Sequence, residues 1–297
     1  MELLLGGPMQ MKRFQWCFVC IFTLVWQIGG CSQADISTEV ADFGTAKLEF
    51  LDVGQGLSVL IQSSSKEWAF LYDAGNDSTG FWDSLHVRNI KHLDWALVSH
   101  WHRDHAGGFL EWDGSVQINT LFYSRDTGGI WLRDSILKLA KRFGTKTVAV
   151  ERGQKLPCEE WSCQILWPTG FKKIGGNDAS AVLQISDGKE RALFTGDLEN
   201  LGEAELLELS HDLQASLLQV GHHGSTTSSS LRFLEQVAPT LAVISVGKGN
   251  PYGHPAKSTL KKLSFVTGDS SKILRTDLSG TLVVEWRLKK GLWLRNY

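Results

Sequence analysis

The chain is short of cysteine, of net charge and of long apolar runs, and each shortage closes off a class of protein. Five cysteines in 297 residues are too few and too scattered for a thiolate metal centre, since no second ligand pair lies near Cys158 and Cys163. The formal net charge of −2 gives no sign of a strongly basic nucleic-acid binder. Beyond residue 30 the balance is 28 basic against 31 acidic residues, a net −3. Lys141-Arg142, Lys172-Lys173, Lys261-Lys262 and Lys289-Lys290 could still form a basic stripe, although pairs of this kind ordinarily make solvated faces. The most apolar stretch, residues 14–26, is followed by Gln27 and falls short of the ~20 residues that a spanning helix needs. No linker or internal repeat is visible. What is present is 42% hydrophobic residues, enough for one large core.

The N-terminus reads as an address. Lys12-Arg13 precedes the apolar run, and Ile28-Gly29-Gly30-Cys31 follows it. This order of positive charge, apolar segment and small residues is that of a secretory signal, and a cysteine after Ile-Gly-Gly resembles a bacterial lipoprotein processing site. The expected layout is a lipoprotein-type signal over residues 1–30, its natural start at Met11, then a tether over 31–46 with the acyl chain on Cys31, and a folded domain over 47–297. An uncleaved anchor is the alternative, and either way the domain faces out of the cytoplasm, periplasmic or at the cell surface. Cys17 and Cys20 leave with the signal. Cys158 and Cys163 then remain as a disulfide across a small loop, suited to an oxidising compartment, or as two thiols.

The histidines carry the chemistry. His100-Trp-His-Arg-Asp-His105 follows the apolar run Trp95-Ala-Leu-Val-Ser99, so three imidazoles and a carboxylate sit at one strand end, a density that metal ligation explains. Asp197 ends Leu193-Phe-Thr-Gly-Asp197, His222 and His223 follow Leu217-Leu-Gln-Val-Gly221, and His254 lies in Gly249-Asn-Pro-Tyr-Gly-His-Pro255. Each lies just past an apolar strand, where α/β sheets present ligands. Strand patterns at 47–53, 57–62 and 68–73 leave no room for helices and predict an antiparallel start. A strand at 95–99 and a helix at 129–143 follow, then strands at 147–150, 164–167, 181–185 and 191–195. After Asp197, helices at 198–209, 229–237 and 257–265 alternate with strands at 217–220, 241–245 and 273–276, and 280–286 closes the chain. The fold class is α/β, two sheets flanked by helices in two similar halves. Most of the twelve tryptophans lie at strand ends and read as core or rim packing.

Phe50-Leu-Asp-Val-Gly-Gln-Gly56, Tyr72-Asp-Ala-Gly75, Ser99-His-Trp-His-Arg-Asp-His-Ala-Gly-Gly108, Asn177-Asp-Ala-Ser-Ala-Val-Leu183, Leu193-Phe-Thr-Gly-Asp-Leu198, Gly221-His-His-Gly-Ser225, Tyr252-Gly-His-Pro255 and Arg275-Thr-Asp-Leu-Ser-Gly280 together resemble the metallo-β-lactamase superfamily. Within it they are most similar to the extracellular hydrolase domain of ComEC-type competence proteins. The resemblance implies a four-layer αββα sandwich and a hydrolase holding two divalent ions, Zn²⁺ or Mn²⁺. His100 and His102 suit one ion, Asp104, His105 and His223 the other, and Asp197 can bridge them. His222 stays free as general acid, Asp104 is needed for catalysis, and His254 contacts the substrate, supplies a further ligand, or simply orders its turn. Asp73 would orient a ligating histidine.

Three positions depart from the superfamily pattern. Asn177 stands where many superfamily hydrolases have histidine, a change shared with the ComEC-type branch that argues against a lactamase and tolerates Mn²⁺. His102 stands where that branch often has aspartate, which restores zinc character. Leu57 replaces a residue that is often acidic or an amide.

The leading expectation is phosphodiester hydrolysis, with the ions neutralising developing charge and His222 protonating the leaving oxygen. The substrate would be DNA or a cell-envelope phosphodiester polymer, and no protein partner is evident. A carbon ester, thioester or lactam hydrolase is one alternative, and a lipid-anchored metal-containing binding module without turnover is another.

Overall fold

Alternation starts the first sheet. Ala46, Leu48 and Phe50 of β1 (Thr45–Phe50) are fully buried, and β1 pairs antiparallel with β2 (Val59–Gln62), which pairs antiparallel with β3 (Ala69–Tyr72). The computed structural model describes residues 44–170, 175–210 and 212–294. The expected signal, nearly all of the tether and Lys172-Lys173 therefore lie outside the described residues. From β3 the sheet turns parallel through β4 (His92–Val98), β5 (Gln117–Ser124) and β6 (Lys146–Val150). Between these strands run α1 (Phe81–Val87), the single turn α2 (Arg103–Ala106) and α3 (Ile130–Arg142). Four consecutive buried residues end β4, Trp95 to Val98, as expected of a strand covered on both faces. On α3 the buried residues Leu132, Ile136 and Ala140 recur every fourth position, which sets one stripe against the sheet.

The second sheet repeats the plan. β7 (Lys155–Leu156), β8 (Ser162–Trp167), β9 (Val182–Ser186) and β10 (Arg191–Phe194) are antiparallel. β11 (Leu217–Gln219), β12 (Leu241–Ile244) and β13 (Ile273–Arg275) continue parallel, linked by α4 (Asn200–Leu209), α5 (Leu231–Val237) and α6 (Lys257–Thr267), with the short α7 (Thr276–Ser279) after β13. The chain then returns to the first sheet as β14 (Leu282–Arg287) and β15 (Gly291–Leu294), β14 pairing with β1. The orders are β15-β14-β1-β2-β3-β4-β5-β6 and β13-β12-β11-β10-β9-β8-β7.

Three apolar layers hold the stack. One lies between the sheets and joins Phe50, Tyr72 and Trp95 to Ile165, Phe194 and Val243. Across it the ring of Phe194 lies 5.5 Å from Tyr72 and 6.2 Å from Phe50. A second layer lies under α1 and α3, and a third lies under α4, α5 and α6. This is the expected αββα sandwich, and side chains such as Phe50 and Phe194 each stabilise it by roughly 1.5–3 kcal/mol through removal from water. Trp95, Trp101, Trp167 and Trp286 are fully buried, as their reading as packing residues requires. Most of the expected elements are present with ends shifted by a few residues. Strands β5, β7 and β15 and helices α1, α2 and α7 have no counterpart among the expected elements. Of the two states open for Cys158 and Cys163, the structure has the disulfide.

Candidate metal centre

The parallel strands of both sheets deliver the candidate site residues from their C-terminal ends. His100 and His102 follow β4, Asp104 and His105 lie on α2, Asp197 follows β10, His222 and His223 follow β11, and His254 lies in the loop after β12. Close approach of the β1–β2 loop to α2 depends on Gly56, where a Cβ would stand 2.5 Å from the Asp104 carbonyl oxygen. That approach lets the Leu57 amide donate to the same oxygen at 3.0 Å. His222 and His223 both have positive φ, 48° and 52°. Non-glycine residues in this region carry local strain of about 1–3 kcal/mol each, which the surrounding structure must hold.

Asp104, His105, Asp197 and His223 each bring one ligand atom to a common point, with all four atoms within 4.8 Å of one another. His105 Nε2 is 3.1 Å from Asp197 Oδ1, and His223 Nε2 is 3.3 Å from Asp104 Oδ2 and 3.6 Å from Asp197 Oδ2. The His100 ring lies 4.3 Å from that of His105 and 4.5 Å from that of His102. His100 is fully buried, whereas His102 is exposed at the mouth.

The donor set fits a divalent cation. The Nε2 atoms of His100, His105 and His223 and Oδ1 of Asp197 are buried without a hydrogen-bond partner, although buried polar atoms are ordinarily paired. The opposite ring nitrogens are tied down. His223 Nδ1 donates to the Ser245 carbonyl oxygen at 2.7 Å, so its Nε2 presents a lone pair inward. His105 Nδ1 lies 2.7 Å from Asp73 Oδ2, and His100 Nδ1 faces the hydroxyls of Ser99 and Ser180 at 3.1 and 3.3 Å. Holding a histidine by its far nitrogen is how proteins aim the near one at a metal. The Asp73 carboxylate also accepts from the Ser99 amide and hydroxyl, each at 2.7 Å.

The electrostatics agree. Burial pushes the Asp197 carboxyl up, but His105, His223 and His100 outweigh it and hold the group well below the usual carboxylate range. Burial also opposes ionisation of Asp104, and contact with His223 and His105 again lowers it. His105 is raised well above the ordinary imidazole value because Asp197 and Asp73 overcome its burial. His100 is driven well below that value, first by burial and then by His105. These shifts describe carboxylates arranged to face positive charge, which a bound ion supplies more strongly than imidazolium.

Two predicted residues lie beside the cluster. His222 is half-buried, its Nδ1 3.0 Å from Glu199 Oε1 and 3.1 Å from Thr227 Oγ1, with Nε2 3.9 Å from Asp197 Oδ2. His254 packs its ring 5.6 Å from that of His222. Its imidazole is lowered by burial and by the neighbouring His222 and His223. Asn177 Nδ2 donates to Glu199 Oε1 at 3.2 Å. Together with Gln55, His102, Asp104, Asp197, His223 and Tyr252, the residues His222, His254 and Asn177 line a cleft of about 220 Å³.

Several contributors were not anticipated. Glu199 stands beside His222 with nothing in its local sequence to mark it. Asp126 is a buried carboxylate accepting from the amides of Trp101, Gly128 and Gly176 at 3.0, 2.7 and 3.0 Å. Gln55 and Tyr252 lie in motifs that were noted, but neither had an assigned part. Gln55 Oε1 accepts from the Gly247 amide at 3.1 Å and so joins the two halves at the cleft.

Comparison with known proteins agrees with this architecture. The family model described as the metallo-beta-lactamase superfamily matches residues 51–248. The chain is 35% identical over 235 residues to Competence protein ComA of Neisseria gonorrhoeae, covering 78% of this chain and 31% of that protein. It is 28% identical over 263 residues to ComE operon protein 3 of Bacillus subtilis, covering 82% and 34% respectively. The chain thus spans about a third of the length of these relatives. Among solved structures, the metallo-beta-lactamase fold protein YhfI from Bacillus subtilis superposes with a TM-score of 0.55 at 14% identity, covering 82% of this chain and all of that one. With the family model matched over the greater part of its length and the same strand ends carrying its ligand-type residues, the chain belongs to the metallo-β-lactamase superfamily and resembles the ComEC-type competence proteins.

Proposed function

We propose that this superfamily hydrolase cleaves phosphodiester bonds outside the cytoplasm at a centre for two divalent ions. The observation that carries the reading is the group of buried ligand atoms without hydrogen-bond partners beside an imidazole, His222, that is held apart from them. Asp104, His105 and His223 would hold one ion, and His100 and His102 the other. Asp197 would serve both, because a carboxylate offers two oxygens and this one lies against His105 and His223 of the first set while also feeling His100 of the second. Two bound ions supply a nucleophile at neutral pH and neutralise charge on the phosphate oxygens.

The chain's own residues do the rest. Asp73 and the Ser245 carbonyl fix the orientation of His105 and His223. Glu199 and Thr227 hold Nδ1 of His222, which turns its Nε2 toward the cleft. From there it can carry a proton to the leaving oxygen. His254, beside His222, contacts a phosphate oxygen. Asn177 in place of an imidazole makes the donor set richer in oxygen and suits Mn²⁺, while His102 suits Zn²⁺. The bonded pair Cys158–Cys163 supports an oxidising compartment, consistent with a lipid anchor at Cys31. DNA and a phosphodiester polymer of the cell envelope are the substrate classes that the ComEC-type likeness brings forward.

Alanine variants test the roles on the metal-loaded full chain with bis(p-nitrophenyl) phosphate. Asp104→Ala should lower kcat/KM by at least about 100-fold through lost metal affinity. His222→Ala should lower kcat by roughly 10²–10⁴-fold with metal content unchanged. Full activity in either variant would contradict the assignment.

A further inference from the structure

Tyr252 is the one large apolar surface among the described residues lining the cleft. Its other walls are imidazoles, carboxylates and the amides of Gln55 and Asn177, and no described lysine or arginine lines it. Tyr252 is 67% exposed, yet its ring is stacked on His254 at 5.8 Å and 20°. His254 in turn meets His222 edge-on, at 5.6 Å and 67°. An exposed tyrosine on a loose loop would mean little, but this loop is fixed. Asn250 Oδ1 accepts from the amides of Tyr252 and His254 at 3.2 and 3.0 Å, and Asn250 Nδ2 donates to the carbonyls of Gly247 and His254 at 3.0 and 2.7 Å. The Ala256 amide donates to the Gly224 carbonyl at 2.9 Å, which ties the loop to the segment carrying His222 and His223. The loop that presents the ring is therefore held in place before any ligand arrives, and little backbone ordering cost remains for binding.

We infer that Tyr252 determines specificity by stacking on a planar aromatic group next to the scissile phosphodiester, as on a nucleobase. The inference rests on the phosphodiesterase reading for the position of the phosphate. Without a lysine or arginine on the described walls, the cleft recognises phosphate at the proposed ions and through imidazoles, and the organic part of the substrate gains its binding energy from the tyrosine face. A bare alkyl headgroup would leave that face in water. Base stacking on an aromatic side chain is lost on alanine substitution with an effect of roughly 5- to 150-fold in affinity.

The test measures calorimetric Kd values for thymidine 5′-monophosphate and methyl phosphate on the Mn²⁺-loaded full chain, for wild type, Tyr252→Ala and Tyr252→Phe. Wild type should bind the nucleotide at least tenfold more tightly than methyl phosphate. Tyr252→Ala should weaken nucleotide binding about tenfold or more and leave methyl phosphate within twofold, while Tyr252→Phe, which keeps the ring, should retain nucleotide binding. Equal weakening of both ligands, nucleotide binding unchanged in Tyr252→Ala or lost in Tyr252→Phe, or no wild-type preference for the nucleotide overturns the inference. The phosphodiesterase reading fails separately, as an absence of Asp104-dependent turnover, and that result leaves the differential binding intact.

Discussion

Asp126 shows how much of a candidate metal centre can rest on a residue outside the candidate ligand cluster. Its carboxylate gathers amides from three places: Trp101 between two histidines, Gly128 in its own loop, and Gly176 beside Asn177. Hydrogen bonds to a charged acceptor contribute about 1.5–3 kcal/mol each, and buried donors left without one are costly. Loss of the carboxylate lets the His100–His102 corner shift relative to Asp197. Asp126→Ala should weaken Mn²⁺ or Zn²⁺ binding by roughly 10–100-fold, in line with other residues that orient ligands from behind. Competition with a chelator measures this directly. Affinity equal to wild type would show that the corner is held without Asp126. At this scale the sequence was partly legible. Histidines crowded at one strand end announce themselves, whereas the partnerships of Asp126 with Trp101 and of Glu199 with His222 exist only after the chain has folded.

At the scale of elements, a second carboxylate fastens the two sheets. Asp187, in the β9–β10 turn, accepts from the amides of Lys189 and Glu190, each at 2.8 Å. Its other oxygen accepts from the Trp286 indole of β14 at 2.9 Å and from the Lys289 amide of the β14–β15 turn at 2.6 Å. Burial pushes this carboxyl up, but the donated bonds from Glu190, Lys289, Lys189 and Trp286 outweigh it and lower the group from its ordinary 3.8. A depressed folded-state value means that the stabilisation is complete above 3.8 and is lost as pH falls through the folded value. Asp187→Asn should cost about 1–3 kcal/mol near neutrality and flatten the acid limb of the stability curve below pH 3.8. Denaturant unfolding at neutral pH and across that acid range checks both, and an unchanged profile would contradict the account. Elements that follow a single periodicity, such as α3 and β4, could be read from the chain. β5 could not, because Gln117, Asn119 and Thr120 interrupt its apolar pattern. Its place between β4 and β6 comes from pairing on both edges. Since Asp126 lies just beyond β5, missing the strand also hid the residue.

For the whole molecule, the two halves make one site because each sheet changes from antiparallel to parallel and presents its strand ends at the same cleft. That convergence was readable, since every histidine motif follows an apolar run. The disulfide was left open by sequence, because the spacing of Cys158 and Cys163 suits two thiols equally well. The place of Tyr252 at the cleft was not readable, because its stacking over His254 exists only in the folded chain. The most direct measurement is a titration of the metal-stripped full chain with Mn²⁺ or Zn²⁺, following ions bound per chain and hydrolysis of a simple phosphodiester together, with Asp104→Ala as control. The account predicts two ions per chain, turnover that appears as the pair is completed, and loss of that turnover in the variant. Stoichiometric binding of both ions without turnover by either metal would contradict it.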